Sequence, residues 1–418
     1  MKQKDLFIKT VKENPKDEES INAKLLIRAG FVDKLGAGIY SILPLGLRVV
    51  NKIESIVREE INNIQGQEVL MPSLHPKEYW ETTGRWNVEE MYKIKDENLG
   101  LGWTHEEIIT ALVKKHILSS NDLPKYIYQI QNKFRNEPRA KSGILRGKEF
   151  IMKDLYSFHS SEKDLDEYYE KVKIAYRNIY NRCGIGEKTY LTLAGGGTFS
   201  KYSHEFQTIT DAGEDVICIC KKCNNATNRE IFDNLPDRSS DHVCECGEIT
   251  KVGNEERKKS IEVGNIFKLG TKYSEAFNLK DENGNLIIMG CYGIGITRLM
   301  GTIVEVFNDD KGIIWPKLVA PFSVHLICLD GGNSEIKEKA DEIYSVLQNS
   351  NIEVLYDNRD DKTAGEKLND CDLIGIPLRL VISAKTLKED SVEAKKRTEE
   401  KTELVKIKDL IDFLKHEQ

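Results

Sequence analysis

The chain has 418 residues, 39% of them hydrophobic and 31% charged, with a formal net charge of −7. That length holds two or three domains with cores of their own, and no apolar run approaches the ~18–20 residues a membrane helix needs. The opening MKQKDLFIKTVKENPKDEES lacks an apolar signal core and is too acidic for a transit peptide, so a cytoplasmic location without membrane contact is expected.

Residues 45–64 place Leu47, Val50, Ile53, Val57, Ile61 and Ile64 at helical spacing, which predicts an amphipathic helix. It ends before GQEVLMPSL, a strand-like run whose Pro72 marks an edge or an interface. KYIYQIQNKF, HEFQTIT and LIIMGCYGIG read as strands, and residues 161–183 as a second helix through Leu165, Tyr169, Val172, Tyr176 and Ile179. Helices mixed with strands that lack regular crossovers predict an α+β domain with a mostly antiparallel sheet. After a boundary near IIWPKLVAPFSV, strands and helices alternate, from VHLICLD through SEIKEKADEIYSVLQNS and PLRLVIS to KDLIDFLKHE. That alternation predicts a small α/β module. The expected plan is a discontinuous body over 1–217 and 259–320, a cysteine-bearing insert over 218–258, and a module over 321–418.

Nine cysteines without an export signal argue against a disulfide framework. In the insert, Cys220-x2-Cys223 and Cys244-x-Cys246 form two close thiol pairs, the pattern of a structural zinc site, although the second pair is one residue tighter than usual. Cys218 and His242 are alternative ligands, and free cytosolic cysteines are the plain alternative. An acidic total does not exclude nucleic acid, because phosphate contacts need only local basic clusters. One such cluster, in FRNEPRAKSGILRGKEFIMKD, carries Arg135, Glu137, Arg139, Lys141, Arg146, Lys148 and Phe150. WTHEEII adds Thr104, Glu106 and Glu107, and GCYGIGITRL adds Gly290, Cys291, Gly293, Gly295 and Arg298.

Together these segments resemble the signature of class II aminoacyl-tRNA synthetases. In order along the chain, LPLGLRVVNKIESIVREE, EVLMP, THEEIIT, YQIQNKFRNEPR, EFIMKDLYSFH, SHEF, AGED, EVGNIFKLGTKYSEAF, GCYGIGITRLM and GIIWP look like the bacterial-type prolyl-tRNA synthetases, with only residues 218–258 outside the likeness. The resemblance implies ATP-dependent attachment of L-proline to tRNA(Pro) through a prolyl adenylate, with no DNA partner. It implies that Arg135 bridges the substrate carboxylate and the α-phosphate, since a planar guanidinium spans both. Arg146 then reaches the outer phosphates, Glu137 the adenine amino group or the tRNA end, and Phe150 and Arg298 sandwich the adenine. Gly293 and Gly295 let the nucleotide lie on the backbone.

Thr104 and Glu106 would hold the substrate nitrogen, with His204, Asn265 and Cys291 beside the same amino acid, and Glu262 would hold the Mg2+ that ATP brings. Arg139, Lys141 and Lys148 would face tRNA. Two residues depart from the family's run: Asn265 stands for a histidine and Trp103 for a proline. Residues 321–418 resemble the shared anticodon-binding domain, with Arg359, Lys362, Lys367, Lys395, Lys396 and Arg397 as candidate tRNA contacts. The first helix and the Pro72 strand match the family's homodimer motif. Only about forty residues separate AGED from IEVGN, too few for the long editing domain many relatives carry, so no cis-editing is expected. Two alternatives stay open: a non-catalytic paralogue acting as a regulatory or binding subunit, and an enzyme for another amino acid.

Overall fold

The computed structural model describes residues 1–117, 119–138, 140, 142–197, 202–233, 242–250 and 257–417, with the backbone alone for Tyr202 and His242. Its contacts divide into two compact units: Gly36–Tyr40 with Ile53–Thr302, and Met1–Leu35 and Ser41–Lys52 with Ile303–Gln418.

The first unit is built on one sheet, of nine strands among the described residues. They are β1 (Gln67–Glu68), β2 (Lys125–Phe134), β3 (Glu149–His159), β4 (Thr189–Gly195), β5 (Tyr202–Ile209), β6 (Asp215–Ile219), β7 (Ala226–Asn228), and, beyond the hairpin β8 (His242–Val243) and β9 (Ile249–Thr250), β10 (Arg257–Gly270) and β11 (Ile288–Gly295). Their order is β6-β7-β4-β5-β10-β11-β3-β2-β1, parallel only at β1/β2 and β4/β7. The mostly antiparallel α+β reading holds. GQEVLMPSL contributes only two residues to the sheet edge. Val69 N–H adds one more main-chain bond, to the Tyr128 carbonyl at 2.8 Å, before the ladder passes to a side chain, as Met71 N–H donates to Gln129 Oε1 at 3.1 Å.

Four helices matter to the site: α1 (Pro44–Asn63), α2 (Glu106–Val113), α3 (Glu162–Arg182) and α4 (Ile296–Val306). Helix α1 buries Val50, Ile53, Val57 and Ile61 as the spacing predicts, together with Val49 and Ile56, while Leu47 is exposed instead. Helix α3 starts at Ser161, whose hydroxyl accepts the Asp164 N–H. It buries Leu165, Tyr169, Val172, Tyr176 and Ile179 against one face of the sheet. That face presents aromatic partners: Tyr126 stacks on Tyr168 at 3.7 Å, and Phe206 lies 5.4 Å from Tyr176. Strand alternation sends Phe150, Asp154, Cys291, Gly293 and Asn265 to the opposite face.

Residues 218–228 do not stand apart as an insert. Strand β6 pairs with β10 and β7 with β4, so Cys218 is a buried sheet residue rather than a ligand candidate.

The second unit carries β12 (Val324–Leu329), α5 (Ser334–Asn349), β13 (Val354–Asp357), α6 (Ala364–Ile374), β14 (Leu378–Ser383), β15 (Ser391–Lys396), β16 (Glu403–Lys406) and α7 (Leu410–Glu417). Its sheet runs β13-β12-β14-β15-β16, with the first three strands parallel and the last two antiparallel. The chain's first residues belong here and not to the larger body. The Met1 amino group donates to the Val354 carbonyl at 2.9 Å, and Gln3 Oε1 meets His325 Nε2 at 2.8 Å.

Beneath α3 lies a buried amine. Lys153 Nζ donates to Tyr176 Oη at 2.5 Å and to the Tyr292 carbonyl at 3.0 Å, and burial pushes its pKa from 10.5 down to about 7. Between those values the unfolded chain binds the extra proton, so this lysine's contribution makes stability rise with pH across the window and costs most below pH 7. The melting temperature of Lys153→Met, relative to the natural protein, should therefore be more favourable at pH 6.5 than at pH 10. An equal difference at both pH values contradicts this.

Candidate active site

The site starts from a strand kept clear of side chains. Register sets Gly293 of β11 opposite Asp154 of β3 on one side and Asn265 of β10 on the other. A Cβ at Gly293 would lie 2.8 Å from Asn265 Oδ1, and one at Gly295 would lie 3.2 Å from Arg298 Cβ. Any larger residue would fill the space above the strand.

Two guanidinium groups converge on this face. Arg135 extends β2 by one residue, its N–H bonding the Lys148 carbonyl at 2.8 Å. Its Nε donates to the Trp103 carbonyl at 3.2 Å, and its guanidinium lies over the Phe150 ring at 5.1 Å. Arg298 sits in the first turn of α4, where the helix dipole disfavours a cation. It is held by the carbonyls of Leu145 and Glu262, both at 2.9 Å, and by the Glu262 carboxylate at 3.5 Å. Burial first, and then the Arg298 charge, push the Arg135 pKa below its ordinary value, with Glu262, Glu106 and Glu137 opposing. The sequence paired Phe150 with Arg298. The structure sets Arg135 over that ring, because the two are diagonal neighbours across the β2/β3 ladder.

An acidic centre lies at the start of α2. Glu106 and Glu107 occupy its first turn, where the helix dipole favours carboxylates, and both are fully buried. Thr104 Oγ1 donates to Glu106 at 2.6 Å, and the Cys291 thiol meets it at 3.4 Å. Burial pushes the Cys291 thiol well above its usual pKa, so it stays protonated and donates. Burial also lifts Glu107, against the pull of Arg85, to about 7.

Sequence reasoning missed Arg85. Its Nη1 donates to Glu107 at 3.0 Å, to Glu106 at 3.4 Å and to Tyr273 Oη at 2.5 Å. GRW gave no sign of this, because nothing in local spacing connects residue 85 to residue 106.

Strand β10 brings the remaining groups. Residues three apart on a strand face opposite sides, yet Asn265 Nδ2 donates to Glu262 at 2.7 Å. A β-bulge between Glu262 and Gly264 turns Glu262 onto the Asn265 face. Glu205 of β5 pairs with Asn265 on that face, and burial, then Glu262, push its pKa well up. Its neighbour His204 faces the other way: its Nδ1 meets Tyr169 Oη of α3 at 2.9 Å, so it is not brought to the site. Arg146 ion-pairs with Glu137 at 2.8 Å and with Glu214. Lys148 is half-buried, while Arg139 and Lys141 lie outside the described residues.

Residues 92–307 match the tRNA synthetase class II core domain (G, H, P, S and T), and residues 323–417 match an anticodon binding domain. The chain is 34% identical over 559 aligned positions to the proline–tRNA ligase of Dehalococcoides mccartyi, with 99% of this chain and 98% of the relative covered. It is also 34% identical over 567 positions to that of a Geobacillus species, with 99% of each covered. The chain belongs to the proline–tRNA ligase family. Spread over 559 positions, its 418 residues leave stretches that only the longer family member fills.

In this ligase the four cysteines of the pairs meet: all four Sγ atoms lie within 4.8 Å of one another. Cys220 is 3.7 Å from Cys246, and Cys223 is 3.6 Å from Cys244. The Cys223 backbone N–H, more than any other group, draws the Cys220 thiol down to about 6.

The ligase's second unit corrects half of the expected tRNA contacts. Arg359 is buried and donates to Asp357 at 2.6 and 2.9 Å and to Asp370 at 2.8 Å. Lys367 is buried on the Cys328 carbonyl at 2.6 Å, and Arg397 forks onto Asp309 at 2.6 and 2.8 Å. These three are structural because the domain uses their charge internally. Lys395 is mostly covered and pairs with Glu400, while Lys396 stays more open and pairs with Glu399 and Glu417. Lys362, paired with Glu366, lines a cavity of about 560 Å³ whose lining mixes Lys9, Lys12, Arg28 and Lys311 with Asp310, Asp370 and Asp372. Arg359→Ala should cost about 3–5 kcal/mol in denaturant unfolding, as expected when one partner of a buried ion pair is removed. A variant as stable as the natural protein, weakened only towards tRNA, contradicts this.

Proposed function

We propose that this chain activates L-proline with ATP and passes the prolyl group to tRNA(Pro). The observation that carries the reading is the convergence of Arg135 and Arg298 above a glycine-lined strand with Glu106 buried beside them. Adenylate formation joins a carboxylate to the α-phosphate, two anions, so positioned cations do most of the work. Arg135, lying over the Phe150 ring, bridges the two, and Arg298 lies against the adenine. Arg146 exchanges Glu137 and Glu214 for the outer phosphates, which frees Glu137 for the adenine amino group or the tRNA end. Glu106 and Thr104 accept the two N–H bonds of proline's secondary ammonium, with Cys291 and Asn265 closing the pocket.

Mg2+ comes with ATP. Glu262 and Glu205 are the residues to hold it, since burial and the neighbouring Glu262 push the pKa of Glu205 well up, and a cation between the two would relieve that repulsion. There it would neutralise phosphate oxygens. The four thiolates suit structural Zn2+, because a tetrahedron with Zn–S bonds of about 2.3 Å has S···S edges of about 3.8 Å, close to the separations found. The exposed Leu70 and Leu74 beside the edge strand support a homodimer. Lys362, Lys396 and the cations around the cavity support contact with anticodon-loop phosphates, and residues 323–417 are the tRNA-binding domain. No helix among the described residues is long and apolar enough to cross a membrane, which fits a cytoplasmic enzyme. The interval between AGED (residues 212–215) and IEVGN (residues 261–265), too short for a further domain of typical size, supports an enzyme without a cis-editing domain.

Proline-dependent ATP–pyrophosphate exchange tests the reading. It should exceed exchange with threonine, serine, glycine or histidine, and Arg135→Ala should reduce it about 10²–10³-fold. Near-normal exchange by that variant, or preference for another amino acid, contradicts it. Metal analysis should find one zinc per chain in the natural protein and none in Cys220→Ser/Cys223→Ser. A zinc-free natural protein contradicts the metal reading.

A further inference from the structure

The two ends of the proposed amino-acid grip are joined through a single residue. The Trp103 carbonyl accepts from Arg135 Nε at 3.2 Å, and the next residue, Thr104, donates to Glu106 at 2.6 Å. The Trp103 ring lies 4.5 Å below the Arg85 guanidinium and stacks on Trp80, at 5.7 Å and 25°. Arg85 is 8% exposed, with Trp80 and Tyr273 also beneath its charge. A guanidinium over aromatic faces is fixed in its plane as well as its position. Its Nη1 then donates to Glu106 Oε2, which Thr104 also reaches, while the Cys291 thiol donates to Oε1, so both oxygens of the carboxylate are held.

We propose that Arg85 and Trp103 form a brace that sets amino-acid selectivity by fixing the Glu106 carboxylate in an orientation suited to a secondary ammonium. The proposal rests on the reading of Glu106 and Arg135 given above. Proline's nitrogen carries two N–H donors, and the primary ammonium of alanine carries three. A carboxylate already bonded to Arg85, Thr104 and Cys291 cannot turn to accept a third, so a primary ammonium is left with a buried unsatisfied donor. With the brace loosened, Glu106 can rotate to satisfy it, and discrimination falls. Trp103 stands where the family likeness places a proline, so the stacked platform belongs to this chain's own version of the pocket. Arg85 and Trp103 act through Glu106 and are positioning residues.

The test is pyrophosphate exchange with proline and with alanine, measured for the natural enzyme and for Arg85→Lys, Trp103→Ala, Trp103→Phe and Glu106→Gln. Arg85→Lys and Trp103→Ala should raise the proline KM and lower the proline-to-alanine ratio of kcat/KM by at least about tenfold, as the gain or loss of one buried hydrogen bond dictates. The ATP KM should stay within about twofold, and Trp103→Phe, which keeps a stacking face, should recover most of the ratio. Glu106→Gln should lose proline binding. If Glu106→Gln keeps the natural proline KM, the reading beneath the brace fails and the brace with it. If Glu106→Gln loses binding while the other variants keep their selectivity, or if proline KM, ATP KM and kcat worsen together with the ratio unchanged, the brace alone is overturned.

Discussion

Two like charges held near each other, half-covered by protein, are unfavourable until an anion arrives, and the larger unit is organised around that condition. Main-chain carbonyls hold each guanidinium without cancelling its charge, Trp103 for Arg135 and both Leu145 and Glu262 for Arg298, and the Glu262 carboxylate at 3.5 Å offsets only part of the Arg298 charge. The glycines leave room where the anion must lie, and the bulge in β10 brings a carboxylate to the rim. Aromatic packing of α3 against the other face supplies the stability that offsets the repulsion.

The acidic end of the site follows the same economy. Glu106 and Glu107 are buried at a helix start that favours them, and one arginine serves both. That leaves acceptor capacity on Glu106 for a cationic substrate, and it ties the pocket's shape to Arg85, a residue remote in sequence.

Much of this was legible in the residues. The α3 face followed from spacing alone, whereas GCYGIGITRL and FRNEPR were each weak by themselves and pointed to the chemistry only through the joint likeness of the ordered segments to a synthetase family. Three features were hidden for physical reasons. His204 and Glu205 are adjacent, and only the strand's pairing reveals that the glutamate faces the site while the histidine packs on Tyr169. The bulge that turns Glu262 inward leaves no mark in composition. Charge in a module that binds nucleic acid reads alike whether it is free or spent: Arg359, Lys367 and Arg397 are consumed by internal partners that lie far away in sequence or look like surface acids.

A double-mutant cycle tests the central claim most directly. A non-hydrolysable prolyl-adenylate analogue would be titrated calorimetrically into the natural enzyme, Arg135→Lys, Arg298→Lys and the double variant. Two guanidiniums acting on one ligand should show a coupling of at least about 1 kcal/mol, whereas losses that add to within about 0.5 kcal/mol would mean that the two arginines serve separate sites.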